Sequence, residues 1–360
     1  MVSLDRFFFL CLLSFVITYA LSHVLKRAAL RVGLADAPGG RKRHEGNIPL
    51  IGGVAMFCGF ALSTLASGEV TANVSLLAAL GLLVVVGLLD DVYDVRPGWK
   101  IVAQIVAALF MTSWAGVYVS QLGNLIGYGH GNLHGWAIPF TVICVLGIIN
   151  AINMADGVDG LAGSLSLVGL AFLAASALAL GQYAVAIPIL IMAAAVTAFL
   201  LLNMRFPWQP RAQIFMGDSG STMLGLFLTW FSVQVTQGTP PRLPAITAVW
   251  FLAVPVMDMG LVTVRRILKG RNPLSAGRDH IHHILLHAGF SPAQTVSLML
   301  LLSLLFAIAG LVAWRAGVPD LVMFYVFMSL FAIYYGLSRR AWQIVRFIKK
   351  FRSADSASRG

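Results

Sequence analysis

Fourteen carboxylates serve 360 residues, and six of them (Asp90, Asp91, Asp94, Asp156, Asp159 and Asp218) stand where long apolar runs end. Acids so close to apolar runs are costly unless a cation, a metal or a ligand offsets them. Asp90, Asp91 and Asp94 form an Asp-Asp-x-x-Asp pattern, followed by Arg96 and Lys100. If one helix runs through it, Asp90 and Asp94 share a face at i, i+4. Acids at a helix C-terminus also oppose its dipole, so a solvated turn explains them poorly. The pattern points to divalent-metal and phosphate chemistry.

Three further groups extend that chemistry. Asn150 and Asn153 lie at i, i+3 in the last turn of an apolar run, ahead of Asp156-Gly157 and Asp159-Gly160. Glycine there lets the backbone turn close to a ligand. Phe215-Met216-Gly217-Asp218-Ser219-Gly220-Ser221 opens the next run. Asp218 can cap that helix, and a helix start with small residues is also a phosphate seat. The longest polar loop holds Arg265, Arg266, Lys269, Arg271, Arg278, His280, His282 and His283. Its histidines look like a metal tract, but the surrounding cations favour a grip on phosphate or sugar. Gly270 and Gly277 would let the loop close as a lid. Arg41, Lys42, Arg43 and His44 read either as substrate contacts or as lipid-headgroup and topology-setting residues.

The elements that must position these groups span a membrane. Hydrophobic residues make up 59% of the chain and charged ones 11%, against roughly 45–50% and 25% in soluble domains. About eleven runs approach the ~20 residues a spanning helix needs: 7–25, 48–66, 73–89, 101–118, 136–154, 161–180, 183–203, 219–236, 243–264, 295–314 and 321–337. The expectation is an all-α polytopic membrane bundle over residues 1–338, with a basic amphipathic interfacial tail over 339–360. The first run lacks a basic leader and a cleavage site, and reads as a retained helix. Cys11, Cys58 and Cys144 lie inside runs and read as packing residues.

The net charge of +11 would suit nucleic acid, but its placement argues against that partner. With the first loop in the cytosol, every Lys and Arg of the 25 except Arg6, Arg242 and Arg315 falls on the cytosolic side. That is the positive-inside pattern. It implies an N-out, C-in chain whose site lies in cytosolic loops.

At these clusters the chain resembles the polyprenyl-phosphate N-acetylhexosamine-1-phosphate transferases, glycosyltransferase family 4. The likeness rests on Arg41-Lys42-Arg43-His44 with Ile48 to Gly53, Leu89-Asp90-Asp91, and Asn150 to Met154 through Asp159-Gly160-Leu161. It continues at Phe215 to Asp218, Pro255 to Met259, His280 to His283 and Phe347-Ile348-Lys349. The resemblance implies a bacterial inner-membrane enzyme with UDP-GlcNAc as donor and undecaprenyl phosphate as acceptor. It implies Mg²⁺, with Mn²⁺ as the alternative, held by Asp218 with help from Asn153. Phe215 would stack on uracil and Asp159 would accept from its edge. Lys100 would hold the lipid phosphate and Asp90 would lie beside the attacking oxygen, with Asp91 and Asp156 shaping the field. Asn150, Arg41, Arg43, His44, Arg278, His280, His282 and His283 are expected substrate contacts. A second copy of the chain is a candidate partner. Another UDP-HexNAc such as UDP-GalNAc, or a transporter of polyprenyl-linked sugars, are the alternatives; a transporter would want charges at the bilayer midplane, where only Asp258 is a candidate.

Overall fold

The computed structural model describes residues 4–32, 34–36, 47–68, 70–127, 129, 131–238, 242–271 and 280–339. Arg41, Arg43, His44 and Arg278, with most of the expected tail, lie outside the described residues. Among those described, the chain is almost entirely helical: α1 Leu4–Val32, α2 Gly52–Ala66, α3 Val70–Tyr93, α4 Pro97–Leu109, α5 Ala137–Ala155, α6 Leu161–Ala179 and α7 Tyr183–Asn203. These are followed by α8 Gly217–Gln237, α9 Ala245–Phe251, α10 Ala253–Leu268, α11 Ile281–His287, α12 Pro292–Arg315 and α13 Asp320–Arg339. One two-residue pairing, β1 Ala35–Asp36 with β2 Ile48–Pro49, is antiparallel.

The molecule is a multi-pass membrane protein. Each of the eleven apolar runs overlaps a helix, but among the described residues only seven helices are long and apolar enough to cross a bilayer, or eight if α9 and α10 form one span bent by 87°. The remainder are short or polar. Helix α2 has 15 residues, about 22 Å at 1.5 Å per residue, short of a ~30 Å hydrocarbon core. Helix α4 has 13 residues before a π-helical turn at Phe110–Trp114.

Helix α8 is polar for a different reason. It runs through the middle of the bundle against α2, α3, α5, α6, α7 and α9, and all but a few of its residues are buried. Facing protein rather than lipid, it can carry glycines and hydroxyls, which allow close helix contact. Ser221, Thr222, Thr229 and Thr236 each donate to a carbonyl of α8 itself. A Cβ at Gly87 of α3 would collide with the Ser219 backbone, and one at Gly53 of α2 with Gly220. Small residues thus bring three helix ends together at the start of α8.

Candidate active site

Helix α3 stops at Tyr93, and Asp94 adopts a left-handed conformation at φ 52°. Its N–H donates to the Asp90 carbonyl at 2.9 Å, and its side chain is exposed. This corrects the i, i+4 expectation: Asp94 terminates the helix, a position Asp tolerates, while Asp90 and Asp91 still point into the bundle. After the turn, Lys100 comes back from the first turn of α4. Its Nζ lies 2.8 Å from Asp90 Oδ2 and 3.3 Å from Asp218 Oδ2. Burial disfavours its ammonium, but these two carboxylates outweigh that and lift its pKa.

Asp218 opens α8. The chain enters through an extended stretch pinned to the start of α2: Phe215 N–H donates to the Pro49 carbonyl (2.8 Å), and Gly52 and Gly53 N–H donate to the carbonyls of Phe215 (2.9 Å) and Met216 (3.0 Å). Gly217 then turns at φ 72°, with Asp91 packed where a Cβ would go. Asp218 N–H donates to Asp91 Oδ1 at 3.0 Å, satisfying one of the free amides of a helix start. Asn153, in the last turn of α5, donates from Nδ2 to Asp218 Oδ1 (3.0 Å) and Ser221 Oγ (2.9 Å). Asn153 therefore orients Asp218. Asn150, one turn earlier, donates to the Leu146 carbonyl (2.7 Å) and to Gln104 Oε1 of α4 (3.3 Å), bridging two helices.

The turn between α5 and α6 adds two more carboxylates. Burial, and then the charges of Asp218, Asp91 and Asp159, push the Asp156 carboxyl well above the usual range. Asp159 Oδ2 accepts from Arg205 Nε at 2.7 Å, just past the end of α7. Asn203 Oδ1 accepts from Gly160 N–H (2.8 Å), and its amide donates to the Ile214 carbonyl (2.8 Å). Arg205 and Asn203 are not singled out by the sequence as site residues. The available signal was the polar Asn203-Met204-Arg205 step ending an apolar run.

The histidine segment reaches the same turn. His282 of α11 is 1% exposed, and its Nε2 lies where a Cβ on Gly157 would contact it. Burial and then neighbouring His283 push its pKa down to about 3, so the ring is neutral. His283 packs beside it, ring centroids 4.2 Å apart. His280 directs its Nδ1 to Asp258 Oδ2, 2.9 Å away. Phe215 is half-buried.

The donor set suits a hard divalent ion. Asp90 Oδ1 and Asp91 Oδ2 are buried with no hydrogen-bond partner, and such bare carboxylate oxygens need a cation or a ligand. No three His, Cys, Asp or Glu side chains close around one point among the described residues. An ion such as Mg²⁺ takes one or two carboxylates and completes its shell with water and phosphate oxygens. A site of four crowded acids with one bridging lysine is equipped to hold and align phosphates.

Comparison with known proteins agrees with that chemistry. Residues 73–236 match the model of glycosyl transferase family 4. The chain is 36% identical over 340 residues to the undecaprenyl-phosphate alpha-N-acetylglucosaminyl 1-phosphate transferase of Yersinia pestis, covering 94% of this chain and 93% of the relative. It is 35% identical over 348 residues to the protein of that name from Escherichia coli K12 (96% and 95% covered). To that from Haemophilus influenzae it is 32% identical over 330 residues (91% and 93% covered).

Proposed function

The chain belongs to glycosyl transferase family 4, and from that membership we propose that it transfers N-acetylglucosamine 1-phosphate from UDP-N-acetylglucosamine to undecaprenyl phosphate, releasing UMP. The observation that carries this reading is the gathering of Asp90, Asp91, Asp156 and Asp218, with Lys100 bridging Asp90 and Asp218. In the reaction an oxygen of the lipid phosphate forms a bond to the donor's β-phosphorus. The bond from that phosphorus to the bridging oxygen breaks, and UMP carries the electron pair away.

A phosphate monoester has its second pKa near about 6, so the acceptor is largely a dianion at neutral pH. It needs little help from a base. Asp90 is then an orienting group, and Lys100 supplies positive charge to the approaching phosphates. Asp218, steered by Asn153, would hold Mg²⁺, which when bound neutralises the phosphate oxygens, with Asp91 and Asp156 shaping the field around it. The chain's own contribution is in-line positioning. We assign Asp159, His282, His283 and Phe215 to the donor's nucleoside and sugar. The carboxylate face is assigned to the cytosol of a bacterial inner membrane, where the basic residues cluster.

The test is UMP release by purified protein given undecaprenyl phosphate, UDP-N-acetylglucosamine and Mg²⁺. UMP that requires lipid and metal, and falls by at least about 10³-fold in Asp218→Ala, is the expected result. Turnover only with another UDP-HexNAc would keep the chemistry and change the donor. Folded protein that turns over no UDP-sugar would sink the reading.

A further inference from the structure

Asp258 lies outside the carboxylate cluster, yet it is buried and fully engaged. It sits in α10, six residues beyond the sharp bend at Leu252. Its Oδ1 accepts from Ile281 N–H (3.0 Å) and from the Tyr334 hydroxyl of α13 (2.9 Å). Its Oδ2 takes His280 Nδ1 (2.9 Å). An ionised carboxylate only accepts, so Nδ1 of His280 carries the proton. One side chain thus ties the start of α11 to two membrane helices.

The segment it ties down ends in an unsatisfied group. His282 stacks near-parallel on His280, 8° between planes at 5.7 Å. Its buried ring meets the Asp156–Gly157 turn with neither nitrogen hydrogen-bonded among the described residues. Buried polar atoms seldom stay bare without a functional cause. Nothing in α11 alone would hold the ring there, because a seven-residue helix has few internal hydrogen bonds.

We propose that Asp258, supported by Tyr334, is a positioning residue of the transfer reaction: through His280 and the Ile281 amide it holds the His282 imidazole against the carboxylate-bearing turn. What His282 meets during turnover rests on the transferase reading; the tether itself rests on geometry.

The experiment uses full-length protein in detergent and has two readouts. In the first, Asp258→Ala lowers kcat/KM for UMP release on the order of 10–100-fold, the scale of a mispositioned group. Asp258→Asn, whose carbonyl still accepts from Ile281 and Tyr334, recovers most of that loss. In a His282→Ala background, Asp258→Ala costs less than about threefold, because both changes remove the same placed ring. Losses that multiply in the double variant, or wild-type kcat/KM in folded Asp258→Ala, overturn the proposal.

In the second, diethyl pyrocarbonate modification is followed residue by residue by mass spectrometry, with exposed His23 as reference. His280 and His282 react slowly in the wild type and at least about tenfold faster in Asp258→Ala. Tyr334→Phe, a milder change, gives an intermediate rate. Unchanged protection in both variants overturns the tether. A wild type that releases no UMP sinks the transferase reading alone, and the modification rates still decide the tether.

Discussion

At the scale of single residues, the cluster trades stability for charge. Asp156 shows it best: burial, then Asp218, Asp91 and Asp159, raise its pKa well above the ordinary carboxylate range. The folded state therefore holds a proton on Asp156 more tightly than the unfolded chain does. Stability is highest below the unfolded pKa, and is lost as pH rises through the folded one. Asp156→Asn removes that loss. Its thermal midpoint should exceed the wild type's at pH 8 by about 2–4 °C per kcal/mol recovered, with the gap closing toward pH 4. Activity should fall over the same substitution, by about 10²-fold or more. A midpoint that drops in Asp156→Asn at pH 8 would show that its charge is compensated after all. The residue types of this site were readable from sequence because charge is rare in an apolar chain. Partners were less readable: Arg205 sits 46 positions from Asp159, and nothing in the local pattern joins them. Asn150 looked like Asn153 by spacing, but one turn of helix aims it at Gln104 instead.

At the scale of elements, the end of α3 separates Asp94 from its two neighbours. The sequence admits a helix through all three acids, and only the backbone reveals the left-handed residue that stops it. Asp94 is exposed and its backbone ends the helix, which predicts that its side chain takes no part in binding phosphate. Asp94→Gly suits the positive φ better and should raise stability by up to about 1 kcal/mol, whereas Asp94→Ala should lower it by a similar amount. UMP release should stay within about twofold of wild type in both. Thermal midpoints and initial rates measured side by side check this. A hundredfold loss in Asp94→Gly would return Asp94 to the site. The break at Leu252 was equally hidden, because one continuous apolar run covers both α9 and α10. Periodicity counts apolar residues and is blind to an 87° bend. Helix α8 was readable as a run but not as the bundle's centre, which depends on contacts with six other helices.

At the scale of the whole molecule, two polar faces bound the bundle. The first holds the carboxylates, with Lys26, Arg96, Lys100, Arg205, Arg265 and Lys269 around helix ends and loops. Exposed Tyr93, Trp99 and Trp208 ring it, as aromatic residues do at a bilayer interface. The second face lies a helix length away, where Gln237 Oε1 accepts from the N–H groups of Ser120 and Gln121 and Trp114, Trp136 and Tyr183 are exposed. Its described cations are Arg6, Arg242 and Arg315. This charge difference predicts the orientation, and labelling can read it. With Cys11, Cys58 and Cys144 replaced by serine, single cysteines are placed at Asn132 on the second face and at Pro210 on the first, both exposed positions. A membrane-impermeant maleimide should label Asn132→Cys in intact cells and Pro210→Cys only after the membrane is opened. The reverse pattern would put the carboxylates outside, away from cytosolic nucleotide sugars, and leave the transfer reaction without its donor even if every distance in the site were right.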